Sequence, residues 1–242
     1  MKDVFLFSAV GMFAGVAGTG LGGAIASIGR YDGSGFLSRV LEFSAGLMIS
    51  IVCFDLLPHA FSSAPLPLVF SGVILGAVCM MVFSLREDEF MAESGKNGLV
   101  SVGMRLAAGV ALHNFPEGLA IGSGFQGGSA LGLSLAAAIM LHNIPEGMAL
   151  SSPLMAGGLS PFRAARTAAI SGIPMGVGAF AGAVAGGVSP PVLAFFLSLA
   201  GGAMLFLSFG DILPEAKRGG SGHPLICLLG VLIGILIVRI MG

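Results

Sequence analysis

The sequence predicts an all-α protein that is embedded in a membrane. Hydrophobic residues make up 55% of the 242 residues and charged residues only 10%, whereas soluble domains carry about 25% charged residues. The mean hydropathy is +0.99. The 40 glycines are typical of transmembrane bundles, in which small residues let helices approach closely. We therefore expect a single transmembrane domain over residues 1–242.

Eight apolar stretches are long enough to cross a bilayer, which takes about 20 residues. Numbered as segments 1 to 8 in chain order, they cover about residues 4–28, 38–61, 65–85, 100–124, 129–154, 164–188, 191–215 and 223–241.

The breaks between these segments are polar, glycine-rich or proline-rich. Segment 1 could be a signal peptide that ends at Ala24-Ile25-Ala26, but its apolar run exceeds the usual 7–15 residues or so, so we favour a retained helix. Segments 1 and 3 are followed by Arg30-Tyr31-Asp32-Gly33 and by a charged loop over residues 86–98. A turn near residues 127–129 separates segments 4 and 5. Ser189-Pro190-Pro191 precedes segment 7, and Lys217-Arg218-Gly219-Gly220 precedes segment 8.

The basic residues predict how the chain is oriented. Nine of the eleven Lys and Arg residues fall on the side that holds the connections 1–2, 3–4, 5–6 and 7–8: Arg30, Arg39, Arg86, Lys96, Arg105, Arg163, Arg166, Lys217 and Arg218. Because short cytoplasmic loops are enriched in Lys and Arg, we expect both termini on the extracytoplasmic side.

Segments 4 and 5 each contain a copy of one polar hexapeptide. His113-Asn114-Phe115-Pro116-Glu117-Gly118 and His142-Asn143-Ile144-Pro145-Glu146-Gly147 lie 29 residues apart. Ionisable side chains inside a membrane usually mark a functional site. Since residues i and i+4 share a helix face, each His converges with its Glu.

Two imidazoles and two carboxylates form a nitrogen and oxygen ligand set that suits Zn²⁺ and similar divalent ions. The six candidate metal ligands are His113, Asn114, Glu117, His142, Asn143 and Glu146. The two amide oxygens could extend the set for harder ions, and the two carboxylates offset the charge of a dication.

A second repeat relates segments 2 and 7. Phe54-Asp55-Leu56-Leu57-Pro58-His59-Ala60 matches Gly210-Asp211-Ile212-Leu213-Pro214-Glu215-Ala216 at an offset of 156 residues. Both repeats join oppositely directed segments, which predicts a 3+2+3 bundle of inverted repeats, an arrangement typical of transporters. Asp55, His59, Asp211 and Glu215 are then either pathway ligands or helix-end groups, and we expect both pairs near the inner ends of their helices.

These motifs resemble the ZIP family of divalent metal transporters (Zrt/Irt-like proteins). The resemblance rests on the paired hexapeptides, the Leu-Pro signatures of segments 2 and 7, the eight segments and the predicted location of the termini. It implies a metal site, often binuclear, at the six residues given above. It also implies metal movement toward the cytoplasm, with segments 1, 4, 5 and 6 moving against a scaffold of 2, 3, 7 and 8 that forms a homodimer contact.

The chain departs from the ZIP pattern at two positions. Met175 stands in Ser171-Gly172-Ile173-Pro174-Met175-Gly176, where many members place a Glu of the second metal position. A thioether is a poor ligand for Zn²⁺, so we predict a single-metal site or altered selectivity. His59 likewise replaces a Glu of many members.

We therefore expect a non-enzymatic importer of Zn²⁺, and in addition of Fe²⁺, Mn²⁺ or Cd²⁺, in the plasma (inner) membrane. Its partners would be the transported ions and the lipid bilayer, without a resident cofactor. The sequence has no long basic stretch that would suggest nucleic acid. The alternatives are a gated channel, an intramembrane metallohydrolase, which the absence of His-Glu-x-x-His disfavours, and a structural or sensor bundle.

Overall fold

The regular structure is helical throughout the part of the chain that the computed structural model describes, which comprises residues 2–28, 34–93, 98–185, 189–218 and 223–241. The helices are α1 Lys2–Ala26, α2 Ser34–Ile51, α3 Leu57–Ser63, α4 Leu66–Glu93, α5 Gly98–Gly127, α6 Ser129–Ala156, α7 Pro161–Ser171, α8 Ile173–Val184, α9 Pro190–Phe206, α10 Leu213–Arg218 and α11 Pro224–Met241. Two π-helical turns, Val52–Leu56 and Leu207–Ile212, join α2 to α3 and α9 to α10. The prediction of an all-α protein is confirmed.

Within these described ranges, six helical segments are long and apolar enough to cross a membrane. They are Asp3–Ala26, Gly35–Ser63, Leu66–Arg86, Ser129–Ala156, Pro161–Val184 and Pro190–Arg218, and they correspond to predicted segments 1, 2, 3, 5, 6 and 7. The protein is therefore an integral membrane protein. The six do not include α5, which carries the polar residues of segment 4, and Pro224–Arg239 of α11 is a shorter apolar helix. Eight crossing helices stay a prediction.

Several predicted boundaries change in the structure. The predicted charged loop after segment 3 is wrong in its first half, because α4 continues to Glu93. Segment 6 is divided at Gly172 into α7 and α8, where Pro174 has no N–H to continue the helical ladder. The predicted breaks at Arg30, 31–33 and 219–220, together with Lys96, lie outside the described residues.

The prolines of the two repeats act differently. α5 and α6 run without interruption through Pro116 and Pro145. In contrast, Pro58 and Pro214 each lie two residues after the end of a π-helical turn. The Leu57 N–H donates to the Val52 carbonyl and the Leu213 N–H to that of Ser208. One extra residue in the turn thus shifts the hydrogen bonding just before each proline.

The helices form two groups within which backbones touch. In bundle A, which comprises α1, α5, α6, α7 and α8, a methyl group at Gly22 would collide with the Ile144 carbonyl oxygen. Bundle B comprises α2, α3, α4, α9, α10 and α11, and a methyl group at Gly46 would meet the Cys227 carbonyl oxygen. Side chains fill the interface between the bundles: Leu106, Leu150 and Leu154 of bundle A share a core with Leu41, Met48 and Leu207 of bundle B.

The close approaches repeat at the sequence offsets of the motifs. Gly22 packs on Ile144, and Gly178, which lies 156 residues after Gly22, packs on Phe115, which lies 29 residues before Ile144. Gly147 packs on Thr19, and Gly118 packs in the same way on Met175. In bundle B, Gly46 packs on Cys227, and Gly202, which lies 156 residues after Gly46, packs on Val73, which lies 154 residues before Cys227. Equivalent positions therefore make equivalent contacts in the two halves of the chain.

Glu42 of α2 is a buried cap for the start of α11. It is 4% exposed, and its two carboxylate oxygens accept hydrogen bonds of 2.9 and 3.0 Å from the His223 backbone N–H. A carboxylate at a helix N-terminus satisfies an otherwise unpaired donor and complements the helix dipole. Glu42 therefore ties α11 to α2.

The contact of α1 with α6 predicts the effect of a small substitution. Gly22→Ala should lower the free energy of unfolding by about 1–3 kcal/mol, because the added methyl group overpacks two backbones. SDS titration in mixed micelles measures this change. The control is Gly98→Ala, because a methyl group at Gly98 meets nothing within 4 Å. Equal effects of the two substitutions would contradict the assigned contact.

Candidate metal site

The six predicted ligands come together on the facing sides of α5 and α6. Each of the six residues is at most 3% exposed. The two hexapeptides face each other because α5 and α6 are antiparallel neighbours joined at Gly128 and because each places its His and Glu one helical turn apart. The sequence spacing thus becomes one cluster in the interior of bundle A.

The Glu117 carboxylate lies between the two imidazoles. Its Oε1 is 2.6 Å from His142 Nε2 and 2.8 Å from His113 Nε2. His113 Nε2 also lies 3.5 Å from Glu146 Oε1. One ligand atom each from His113, His142 and Glu146 can be chosen so that all three lie within 4.8 Å of one another. These three side chains are therefore close enough to share one divalent ion, and Glu117 contacts both of the imidazoles.

Among the residues that the structure describes, several polar atoms of this cluster find no hydrogen-bond partner. They are Nδ1 of His113, Oε2 of Glu117 and both carboxylate oxygens of Glu146. Buried polar atoms without partners are costly and uncommon. A dication at the cluster would supply the missing interaction to several of them at once.

The two asparagines play different parts. Asn114 Nδ2 donates to the Ser171 carbonyl oxygen at 2.9 Å, and Asn143 Nδ2 donates to Asn114 Oδ1 at 3.2 Å. Because the Ser171 carbonyl can only accept, Asn114 must turn its amide nitrogen toward it and its oxygen toward Asn143. Asn143 Oδ1 is left without a hydrogen-bond partner. Asn143 thus has a free oxygen at the cluster, whereas both ends of Asn114 are engaged.

A cavity of about 520 Å³ reaches the cluster from one side. Glu117 and His142 lie in its wall, followed along α5 by Ala120, Ser123 and Gly124. The opposite wall includes Asp55, His59 and Ser63 of α3 and the turn before it. The cavity therefore extends from the cluster toward the end of bundle A where α5 meets α6.

Comparison with known proteins identifies the family. The profile of the family described as "ZIP Zinc transporter" matches residues 92–242. This chain belongs to the ZIP family. The zinc transporter ZupT of Corynebacterium glutamicum is 32% identical over 130 residues, which are 45% of this chain and 49% of the relative. ZupT of Chlorobium phaeovibrioides is 30% identical over 142 residues, which are 50% of this chain and 53% of the relative.

The chain spans about half the length of the relatives that it matches. ZIP proteins are transporters and not enzymes, so the expectation of a non-enzymatic protein is confirmed by family membership. The predicted metal site stays a prediction.

The four candidate pathway residues of this ZIP-family chain do not lie at one end, so the expectation that both pairs lie near the inner ends is wrong. Asp55 Oδ1 contacts His59 Nδ1 at 3.0 Å beside the cavity, and the His59 side chain is 70% exposed. Asp211 instead accepts a 2.9 Å hydrogen bond from Arg105 Nε, near the start of α5. Glu215 accepts a bond from Arg218 at 3.0 Å. The prediction fails because the two segments run in opposite directions.

Met175 is fully buried in an apolar cluster. Its neighbours in that cluster are Ala14, Ile121, Ala136, Ile139 and Ala179. The thioether thus serves in packing between α8 and the helices around it, which agrees with its predicted unsuitability as a zinc ligand. A single bound ion stays a prediction.

Two residues with a role at this site were not singled out from the sequence. Ser171 positions Asn114 through its backbone carbonyl, a role that side-chain chemistry does not reveal. Arg105, one of the basic residues that predict the orientation, is 7% exposed and paired with Asp211. A signal was present, because Arg105 lies inside predicted segment 4 and a buried Arg requires a partner.

The hydrogen-bond order of the asparagines predicts unequal stability losses. Asn114→Ala leaves both the Ser171 carbonyl and the Asn143 amide unpaired, whereas Asn143→Ala leaves only Asn114 Oδ1 unpaired. We expect the first change to lower the unfolding free energy by about 1 kcal/mol more than the second, measured by SDS titration without metal. A larger loss from Asn143→Ala would contradict this network.

Proposed function

We propose that this ZIP-family chain imports Zn²⁺ into the cytoplasm through the cluster of His113, Glu117, His142 and Glu146. The observation that carries the proposal is the convergence of these four buried side chains, several of them with unpartnered ligand atoms, at the end of a cavity. A mixed nitrogen and oxygen set suits Zn²⁺. The matched relatives are named zinc transporters, which supports the same ion. Fe²⁺, Mn²⁺ and Cd²⁺ are further candidate substrates for this ligand set.

A fifth ligand, an amide oxygen, is best supplied by Asn143. Its Oδ1 has no protein partner, whereas Asn114 Oδ1 accepts from the Asn143 amide. In the proposal, Asn114 is a positioning residue that holds Asn143 through the Ser171 carbonyl, and Asn143 is the amide ligand. A neutral oxygen can adjust the coordination number while the two carboxylates offset the charge of the ion.

The proposal includes eight crossing helices, with α5 and α11 added to the six apolar segments. The equivalent glycine contacts at offsets of 156 and 29 residues, and the π-helical turns before Pro58 and Pro214, support a 3+2+3 inverted repeat. Bundle A then corresponds to the moving part that the ZIP resemblance implies. Bundle B corresponds to the scaffold, through which the chain would form a homodimer.

Charge and the cavity support an inward direction of transport. Arg105, Lys217 and Arg218 belong to the end of the bundle opposite the cavity, and the enrichment of basic residues in cytoplasmic loops supports a cytoplasmic location of that end in the plasma (inner) membrane. Both termini are then extracytoplasmic. The cavity opens outward past Asp55 and His59, which are thus placed as entrance ligands that a Zn²⁺ ion meets before the cluster.

Uptake into liposomes tests this function. Purified protein should take up Zn²⁺ at a rate that saturates with concentration, and Glu117→Gln or His142→Ala should lower the rate by about tenfold or more, because each removes a ligand. A fluorescent zinc indicator inside the vesicles measures the flux. His223→Ala is the control, since this histidine lies outside the cluster and the cavity. Flux that never saturates would favour a gated channel instead, and metal-dependent cleavage of a membrane substrate would favour a hydrolase.

The number of ions bound per chain tests the assignment of Met175. We expect equilibrium dialysis with elemental analysis to give one Zn²⁺ per chain, because an apolar cluster surrounds the thioether at the second position. Glu117→Gln should reduce this occupancy, whereas His223→Ala should not. Two ions bound at the cluster of the unmodified protein would refute the single-site assignment without affecting the transport proposal.

A further inference from the structure

A buried ion pair joins the two bundles on the side of the cluster away from the cavity. Arg105 Nε of α5 donates to Asp211 Oδ1 at 2.9 Å, and Arg105 Nη1 donates to Ser101 Oγ at 2.9 Å. Arg105 and Asp211 are 7% and 8% exposed. Arg105 belongs to bundle A, whereas Asp211 lies in the π-helical turn of bundle B. Any movement of one bundle against the other must therefore break or displace this pair.

The position of the Arg105–Asp211 pair along α5 determines which side of the cluster it closes. Arg105 precedes His113 by eight residues, about 12 Å along a helix, while the cavity follows α5 in the other direction, from Glu117 to Gly124. Close to the pair, the Leu207 side chain fills the space next to Gly109. The ion pair and this leucine thus close the side of the cluster opposite the cavity.

The internal repeat shows that this closure has no counterpart in the other half. The 156-residue offset relates Asp211 to Asp55, and the 29-residue offset relates Arg105 to Ser134. Asp55 pairs with His59 beside the open cavity, and Ser134 is exposed. An Arg–Asp pair can therefore form on one side only, although the helices that carry it are related by the repeat.

We propose that Arg105 and Asp211 are positioning residues that latch the cluster shut on the Asp211 side and thereby favour the state open toward Asp55 when no metal is bound. Removing one member of a buried pair leaves an uncompensated charge. The contact that closes the Asp211 side then becomes less stable relative to the open state. The equilibrium then moves toward the state that opens on the Asp211 side. This inference rests on the proposed transport function, but the experiment that tests it contains no metal.

Two cysteine reporters on the same helix can follow the equilibrium. Cys53, Cys79 and Cys227 are first replaced by Ala. Ala107→Cys then reports on the latched side, since Ala107 is 8% exposed in the core shared by the two bundles. Ala120→Cys reports on the cavity, whose wall includes Ala120. The measured quantity is the rate at which each reporter reacts with a small charged methanethiosulfonate in detergent.

With Asp211→Asn, the Ala107→Cys reporter should react about tenfold faster or more, and the Ala120→Cys reporter should react more slowly. Opposite changes are the signature of a latch, because general loosening would accelerate both reporters. Asp55→Asn, the repeat equivalent, should not accelerate the Ala107→Cys reporter. If Asp211→Asn leaves both rates unchanged or raises both, the latch is refuted.

Two further variants keep the test decisive if Asp211→Asn does not fold. Arg105→Lys retains the charge but loses the planar fork of the guanidinium, so its rates should lie between those of the unmodified protein and a fully unlatched one. The charge swap, Arg105→Asp with Asp211→Arg, should return both rates toward those of the unmodified protein. Unchanged rates in Arg105→Lys, or equal increases at both reporters, would overturn the proposal. Failure of Zn²⁺ uptake alone would not, since uptake tests the transport function.

Discussion

The burial of two carboxylates and two imidazoles in a membrane protein is the constraint on which this structure depends. Charged and polar groups are costly away from water unless partners surround them. In this chain the partners are chiefly one another: Glu117 lies between His113 and His142, and Glu146 lies close to His113. α5 and α6 can hold this arrangement only if they are kept at fixed depth and rotation.

Close backbone packing provides that fixation. Gly147 of α6 rests on α1, and Gly118 of α5 rests on α8, each directly after the Glu of its hexapeptide. A side chain at either position would push its helix away and separate the ligand atoms. The Gly residue that ends each motif therefore belongs to the candidate metal site as much as the His and Glu do, although it offers no ligand atom.

The proposed transport cycle combines a symmetric site with asymmetric surroundings. The two halves of the site repeat the same side chains, so an ion at the cluster meets similar ligands from both helices. The regions on either side differ: a wall with Asp55 and His59 borders the cavity, whereas Arg105 and Asp211 join the bundles on the opposite side. In the proposed cycle, this difference favours opening toward Asp55 when no metal is bound.

The Leu-Pro signatures show which features follow from the local sequence and which follow from tertiary contacts. Both copies produce the same π-helical turn, because a proline at the same place removes the same backbone donor. The Asp in each turn then meets different neighbours, namely His59 in one half and Arg105 in the other. Identical local structure therefore leads to different contacts, which only the packing of the two bundles decides.

The sequence by itself determined the helical class, the pairing of the two hexapeptides and the residues of the candidate site. These features follow from local rules: apolar runs form helices in lipid, and residues four apart share a helix face. The end of α4 and the break between α7 and α8 were harder to predict from the sequence, since charged residues can extend a helix and one proline can divide it.

Tertiary structure decided what no local rule contains. It placed Asp55 and Asp211 on different sides of the cluster, buried Glu42 against the start of α11, turned Asn114 toward Ser171 and set Arg105 against Asp211. Each of these contacts joins residues that are more than 50 positions apart or depends on which helices become neighbours. Periodicity and composition describe one helix at a time, and so they cannot state which side chain on another helix will satisfy a buried charge.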